Sequence, residues 1–388
     1  MTAELRIAVV GIGQRASLAM HVPTVMAAAD PDPRGQERAR DLFGPEVQVK
    51  RDYRDLLELD LDGVILTTPD DLHAGPAIDF LKAGVAVLVE KPLAITTEDC
   101  DEVLETAMAT GTRLYVGHNL RHAAAIRALR DVVRAGDIGS VKAVWCRHFV
   151  GHGGDFYFRD WHAERSRGTG LLLQKGAHDI DVIHWLADGA CREVVAYGGL
   201  EVYGHNPRRE PGAPWPALMG DWYDPGVWPP SALHDLNPVV DVEDVSMMLG
   251  RLDNGVFISY QQCHFTPDYW RNYTVIGDEG RCENFGDLDG AAIKVWNKRR
   301  SGYREDADKT IAIQAGTSGH GGADAGLVME WLRFVAEGGP TETSPLAARE
   351  AVAAGVAATN SIRTGGRPVT VSAPRPELAA YFTAHQVK

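Results

Sequence analysis

A glycine-rich turn follows the first apolar run of the chain at once, with residues 7–10 leading into Gly11-Ile12-Gly13-Gln14-Arg15-Ala16. No other feature constrains the fold as strongly. In a strand–turn–helix unit the first glycine permits a tight turn and the second lets a pyrophosphate approach the backbone. The third position, here Ala16, packs helix on strand. Alone, the pattern also describes an ordinary strand–helix turn. The rest of the first third favours the nucleotide reading: short apolar runs at 25–29, 64–66, 85–89 and 114–116 alternate with helical patterns such as Val103, Leu104, Ala107 and Met108. Such alternation builds a parallel sheet with helices on both faces, a doubly wound α/β domain expected over residues 1–120.

Beyond residue 120 the pattern changes. A helix is expected near 126–133, then strands at 141–150, 194–203, 246–252, 256–262 and 273–276, with one helix between them at 172–186. Long strands clustered in this way point to an α+β domain with a large, open, mostly antiparallel sheet, spanning 121–388. Val328, Trp331, Leu332 and Val335 mark a closing helix, and another runs from 346 to 363 until Gly365 and Gly366 stop it. These last helices belong to the second domain or pack back on the first. Residues 204–238 carry eight prolines and three tryptophans (Trp215, Trp222, Trp228), which excludes helix and regular strand. A loop that long is a functional or oligomer contact, or a cover for core. Residues 14–30 are short for a Rossmann helix plus strand, so that helix is clipped or irregular at its start.

A net charge of −14 argues against a nucleic-acid or anionic-membrane surface, since no run of Lys and Arg offsets it. A dinucleotide still fits, because backbone N–H groups at a helix start hold its phosphates. No stretch reaches the roughly 18 apolar residues of a membrane span, and the N-terminus reads as a strand rather than a leader. Five scattered cysteines without a C-x-x-C pair suit reduced thiols in a cytoplasm.

The cofactor candidates are set by position. Backbone groups of Gly11, Ile12, Gly13 and Gln14 would hold the pyrophosphate. Asp30 ends the second apolar run, 17 residues past Gly13. A carboxylate there accepts from the adenosine ribose hydroxyls and repels a 2′-phosphate, which favours NAD over NADP. Arg34 works the other way, and Asp30-Pro31-Asp32-Pro33 also reads as a plain turn. Glu90-Lys91-Pro92 follows the run 85–89, at a strand's carboxyl end, where a lysine can reach a substrate oxygen.

Three blocks, Thr67-Thr68-Pro69-Asp70-Asp71-Leu72-His73, Ala83-Gly84 and Glu90-Lys91-Pro92-Leu93-Ala94, stand in an order and spacing that resemble the Gfo/Idh/MocA oxidoreductases. That family is named for glucose–fructose oxidoreductase and inositol dehydrogenase. The resemblance covers about the first 200 residues and, more loosely, 361–369. It implies a Rossmann domain followed by a domain with a large open sheet, often used to form oligomers, here a homodimer or homotetramer. It implies that Lys91 touches both substrate and nicotinamide, and that the 69–73 segment, with Leu72 and His73, lines the nicotinamide ribose. Thr67, Thr68 and Glu90 would belong to the same cofactor edge. Asn119 and Arg121 would border the pocket, and Trp161 stands where the family often places an aromatic residue.

The segment from Gly168 to Asp181 resembles the family block G-G-G-x-x-x-D-x-G-x-H-x-x-D, with Gln174 in place of its first Asp. On a helix Gln174, Lys175, His178 and Asp181 share one face. Oxidising an alcohol needs a group to take the hydroxyl proton, and imidazole, with an unperturbed pKa near 6.5, suits His178 to that task. Gln174 can orient a hydroxyl but cannot exchange a proton. Lys175, if it faces the pocket, adds a second cation that favours an alkoxide-like transition state and lowers the pKa of His178; otherwise it faces solvent. Asp179 is expected to face away, and Asp181 to cap, orient or catalyse. His178 and Asp181 have the spacing of a metal pair, but without a third ligand no metal is expected. His264 reads as a structural histidine. Asp241, Glu243 and Asp244 either recognise sugar hydroxyls or form a solvated turn.

Three functions fit these residues. The first is NAD-dependent hydride transfer at a hydroxyl or carbonyl carbon of a sugar, inositol or sugar derivative. The second is glycoside cleavage through transient oxidation by tightly held NAD, with no net NADH. A non-catalytic NAD-binding regulator is the third, and Lys91 and His178 together weigh against it.

Overall fold

The computed structural model describes residues 5–151, 153–213, 226, 228–314, 316 and 320–386. Two compact units divide the chain: Met1–His122 with Ser318–Val352 and Pro374–Lys388, and Ala123–Thr317 with Ala353–Ala373.

In the first unit, β1 (Ile7–Val10), β2 (Val25–Ala29), β3 (Gln48–Lys50), β4 (Gly63–Leu66), β5 (Ala86–Val89) and β6 (Leu114–Val116) form one sheet in the order β3-β2-β1-β4-β5-β6, every pair parallel. All residues of β1, β4 and β5 are buried, as expected of parallel strands covered on both faces. The order reverses between β1 and β4, which opens a crevice at the strands' carboxyl ends. Helices α1 (Pro33–Phe43), α2 (Ala74–Lys82) and α3 (Thr97–Thr110) follow β2, β4 and β5. Asp32 caps α1 through the Arg34 N–H, with Pro33 opening the helix. Thr96 caps α3 through the Asp99 N–H, and Gly111 ends it in the left-handed region.

The segment after Gly13 is a 3₁₀ helix, Gln14–His21, rather than an α-helix. Val22 precedes Pro23 and is extended, since a residue before proline is driven out of the α region. The tighter 3₁₀ winding fits the short span between β1 and β2. The irregularity expected there is real.

The second unit opens with α4 (Ala124–Arg134) and β7 (Val141–Phe149), followed by three short helices, α5 (Gly153–Arg159), α6 (Arg165–Gly168) and α7 (Leu171–Gln174), and by α8 (Gly176–Ala187). Strands β8 (Cys191–Gly199), β9 (Val245–Leu252), β10 (Phe257–Cys263), β11 (Trp270–Gly277), β12 (Arg281–Phe285), β13 (Ala292–Trp296), β14 (Lys309–Ala312) and β15 (Val369–Thr370) join β7 in a nine-stranded sheet. Its order is β14-β13-β12-β11-β7-β10-β9-β8-β15, antiparallel throughout except for β7 against β10. Sequence patterning missed β12 to β15. Helices α4 and α8 pack on one face of this sheet. On the opposite face Trp145, Tyr197, Met247, Leu249 and Phe257 are exposed on adjacent strands.

The chain closes with α9 (Ala323–Glu337), α10 (Pro345–Arg363) and α11 (Pro376–Gln386). Helix α9 covers the first sheet: Leu327, Val328, Trp331 and Phe334 pack with Ile7, Val9, Leu18 and Ala28. Trp331 is fully buried, and a side chain at Gly63 would strike its ring at 2.9 Å. Burying a side chain of that size contributes on the order of 2–3 kcal/mol. Of the loop at 204–238, Trp215 and Trp222 lie outside the described residues. Trp228 is exposed, whereas Leu233 and Leu236 enter a core with Tyr157, Phe158 and Tyr203.

Candidate functional site

In the first unit the candidate cofactor residues converge on the carboxyl edge of the sheet. Gly11 has φ +83°, and an added Cβ would lie 2.7 Å from the Thr68 backbone nitrogen, so both conformation and space require glycine. Gly13 differs. Its φ is −81°, open to any residue, and an added Cβ meets nothing within 4 Å among the described residues. It is also exposed. Neither strain nor crowding within the chain calls for glycine there, whereas a phosphate resting on the backbone would. The loop therefore fits a dinucleotide. Gly13→Ala should leave the thermal midpoint within a degree or two and weaken NAD about tenfold or more by calorimetry. Equal affinity in the variant would refute the phosphate assignment.

Asp30 serves the loop itself. One carboxylate oxygen accepts the Ile12 N–H at 2.6 Å and the other the Asp32 N–H at 2.8 Å. A side chain on Gly35 would collide with it at 2.3 Å. The carboxylate is thereby fixed beside the glycine turn, where ribose hydroxyls can donate to it and a 2′-phosphate is repelled. Arg34 is engaged elsewhere, its guanidinium 2.6 Å from Asp32 in an exposed pair.

Thr67 donates to the Gly11 carbonyl, which ties the loop after β4 to the glycine turn. Thr68 donates to the Leu72 carbonyl at 3.2 Å, closing the 68–72 turn and leaving Leu72 about half exposed. His73 is buried with its ring nitrogens 2.7 Å from the Pro92 carbonyl and 2.9 Å from that of Thr68. It thus braces the Pro69 turn against the loop that carries Lys91. Burial holds its pKa below the usual histidine value despite both carbonyls.

Glu90, 5% exposed, turns one oxygen to the Lys91 N–H at 3.0 Å and the other to Arg15 at 2.7 Å. Arg15 also grips Asp324, at 3.0 and 3.2 Å, and Asp324 accepts from Asn119 Nδ2 at 2.8 Å. Burial alone would lower the pKa of Arg15, but Glu90 and Asp324 more than offset it and raise it. Arg121 is buried and donates to the Glu342 carbonyl at 2.7 Å. Sequence reading missed Arg15 and Asp324.

In the second unit α7 and α8 carry the remaining candidates. The expected single helix is interrupted at Lys175, a turn residue whose backbone is still helical and still donates to the Leu171 carbonyl. Gln174, His178 and Asp181 are 6%, 7% and 1% exposed. Lys175 is half-buried, with its ammonium 5.5 Å from the centre of the Tyr157 ring. Gly176 lets the helix approach β10, since a side chain there would meet the Tyr260 ring at 3.0 Å. At Gly170 it would crowd Glu243 and Arg363. Thr169 sits between the glycines at φ +62°, an uncommon and strained setting for a β-branched residue.

Asp179 is fully buried and turned onto the sheet. It accepts from His148 Nδ1 at 2.9 Å, from the hydroxyls of Tyr260 (2.9 Å) and Tyr273, and pairs with Arg271 at 3.1 Å. These contacts fix the rotation of α8 and hence the direction of its neighbour His178. Trp161 stacks on His162 at 3.8 Å with Arg167 5.8 Å from its ring, so its own chain already packs against it. Beside it Asp160 is pushed up to about 6 by burial.

Of the three carboxylates at 241–244, Glu243 and Asp244 are buried and held by the chain itself rather than lying in a solvated turn. Asp244 accepts three backbone N–H groups, from Glu201, Val202 and Tyr203. Glu243 pairs with Arg363 and Arg165, and Asp241 accepts the Arg165 N–H. His264 is fully buried against Tyr157 and Phe158, as a structural histidine is. None of the five cysteines forms a disulfide.

Comparison with known proteins agrees with this geometry. Residues 5–118 match the family model described as "Oxidoreductase family, NAD-binding Rossmann fold", and residues 126–283 match the "GFO/IDH/MocA C-terminal domain". The chain belongs to the Gfo/Idh/MocA oxidoreductase family. Its first unit is accordingly an NAD-binding Rossmann domain. The oxidoreductase YteT of Bacillus subtilis is 25% identical over 70% of this chain and 72% of its own length. Inositol 2-dehydrogenase of Burkholderia multivorans is 30% identical, over 47% of this chain and 54% of that protein. Beyond YteT, the chain spans about half the length of the curated relatives it matches. Levoglucosan dehydrogenase, solved with NADH and levoglucosan, superposes with a TM-score of 0.77 at 20% identity, covering 95% of this chain and 99% of that one. At that identity the likeness speaks for the fold. Among the described residues no helix is long and apolar enough to cross a membrane.

Proposed function

We propose that this Gfo/Idh/MocA oxidoreductase transfers a hydride between nicotinamide and a hydroxyl or carbonyl carbon of a sugar, inositol or sugar derivative. The observation that carries the reading is Lys91 at the carboxyl end of β5, its backbone pinned by Glu90 and its loop by His73, in a family that binds NAD at that edge. Relatives named inositol 2-dehydrogenase and 1,5-anhydro-D-fructose reductase support the substrate class.

Bound NAD supplies the hydride acceptor. Lys91 holds the substrate oxygen and neutralises charge as its proton departs, His178 takes that proton, and Lys175 adds a second cation for the alkoxide-like oxygen. Gln174 orients a neighbouring hydroxyl, with Trp161 and Asp181 of the same unit as further substrate contacts. Incubating the protein with NAD and a panel of cyclic polyols and aldoses should give absorbance at the NADH wavelength with at least one of them. Silence across a broad panel, with NAD shown to bind, would sink the reading.

Gln174 and Lys175, in place of the family's carboxylate, favour a second reading, glycoside cleavage through transient oxidation. It predicts aglycone release from a glycoside without net NADH. The exposed apolar face at Trp145, Tyr197, Met247, Leu249 and Phe257 suits self-association as a homodimer or homotetramer.

A further inference from the structure

Arg15, Glu90, Asp324 and Asn119 come from four separate segments of the first unit and form one continuous network. The guanidinium of Arg15 spans both carboxylates, with Nε 2.7 Å from Glu90 and its two terminal nitrogens 3.0 and 3.2 Å from Asp324. Asp324 lies in the first turn of α9, where a helix start favours negative charge, and it is only 4% exposed. One of its oxygens also takes Asn119 Nδ2 at 2.8 Å.

That last contact settles which way the Asn119 amide points. A carboxylate paired with an arginine only accepts, so the NH₂ group must face Asp324 and the carbonyl oxygen must face away. Asn119 is 1% exposed, and among the described residues no donor reaches its Oδ1. A buried amide oxygen without a donor is unfavourable and rare. Asn119 lies just past β6, on the same carboxyl edge as the glycine loop and Lys91. The donor suited to it there is a primary amide, and the cofactor this domain binds carries one on its nicotinamide.

We propose that Arg15 and Asp324 are positioning residues for the nicotinamide: they lock Asn119 so that its Oδ1 receives an N–H of the carboxamide. The same guanidinium steadies Glu90, and through it the backbone of Lys91. Gly117 fits this account, since a side chain there would press on Glu90 Oε2 at 3.2 Å. The inference rests on NAD binding at this edge, not on the identity of the substrate, so a silent polyol panel and a failure here are separate results.

Calorimetric titration of the nucleotide-stripped protein with NAD and with its 3-acetylpyridine analogue, which lacks the amide N–H, tests it directly. The wild type should bind NAD about tenfold more tightly than the analogue. Asp324→Ala and Asp324→Asn, whose own NH₂ can turn toward Asn119, each free the Asn119 amide to rotate and should bring that ratio toward one. General damage to the site would weaken both ligands alike and leave the ratio unchanged. A wild-type ratio near one overturns the proposal, as does an undiminished ratio in a variant that melts as a folded protein. Should Asp324→Ala fail to fold, Asp324→Asn reads the same ratio with the side-chain volume kept.

Discussion

Asp179→Ala is expected to destabilise the second unit by about 3–5 kcal/mol, the usual effect of removing one partner from a buried ion pair. The carboxylate is fully buried and meets His148, Tyr260, Tyr273 and Arg271 together. Burial alone would raise its pKa, but Arg271 and His148 overcome that and hold it well below the usual carboxylate range. Deleting it strands the guanidinium with Asp287, 3.5 Å away, as the remaining carboxylate partner. Asp179→Asn keeps the volume and one acceptor and should lose less. Urea midpoints for the three proteins check the order. A wild-type midpoint in Asp179→Ala would show that the network does not hold α8 to the sheet.

The same network sets a pH dependence. His148 is fully buried, and burial, with Arg271 adding to it, pushes its pKa well below 6.5 against the opposing pull of Asp179. Below pH 6.5 the unfolded chain therefore binds a proton that the folded one refuses. Stability is full above that pH and falls as the solution is acidified, by about 1.4 kcal/mol per pH unit for each such histidine. His73 acts in the same direction in the first unit. Asp179, with its depressed pKa, contributes stability that is lost only at much lower pH.

Local features were the legible ones. Gly11, Gly13, Asp30 and Glu90-Lys91-Pro92 announce themselves because turn chemistry and strand ends act over a few residues. The doubly wound order comes from the alternation of apolar runs with helices. Arg15 and Asp324 stand 309 positions apart and meet only when α9 lies over the first sheet. Nothing local marks either as more than a surface charge. Asp179 was expected to face away from the pocket, but its four partners sit at inward positions of β7, β10 and β11, where His148 and Arg271 look like breaks in an apolar pattern. Strand β12 escaped notice for a related reason. Asn284 is fully buried because it satisfies the Tyr273 N–H and the Arg271 carbonyl, so a polar residue occupies what patterning requires to be apolar.

His178→Ala is expected to lower kcat by about 10²- to 10⁴-fold, the range that general acid–base catalysis supplies, while KM for the polyol changes far less. The size is set by the residue's surroundings. Gln174 occupies the place where the family block carries a carboxylate, and an amide cannot take the hydroxyl proton. On the proposed mechanism the proton goes to His178, whose neighbour Asp179 is anchored on the sheet. The variant should also lose the rising limb of the pH–rate profile, and added imidazole should restore part of the rate. Gln174→Asp in the His178→Ala background supplies a second candidate base and should recover activity in proportion to its ionised fraction. A kcat within about threefold of wild type in His178→Ala, with unchanged pH dependence, would remove the imidazole from the chemistry and leave Lys175 or Lys91 as the group that handles the proton.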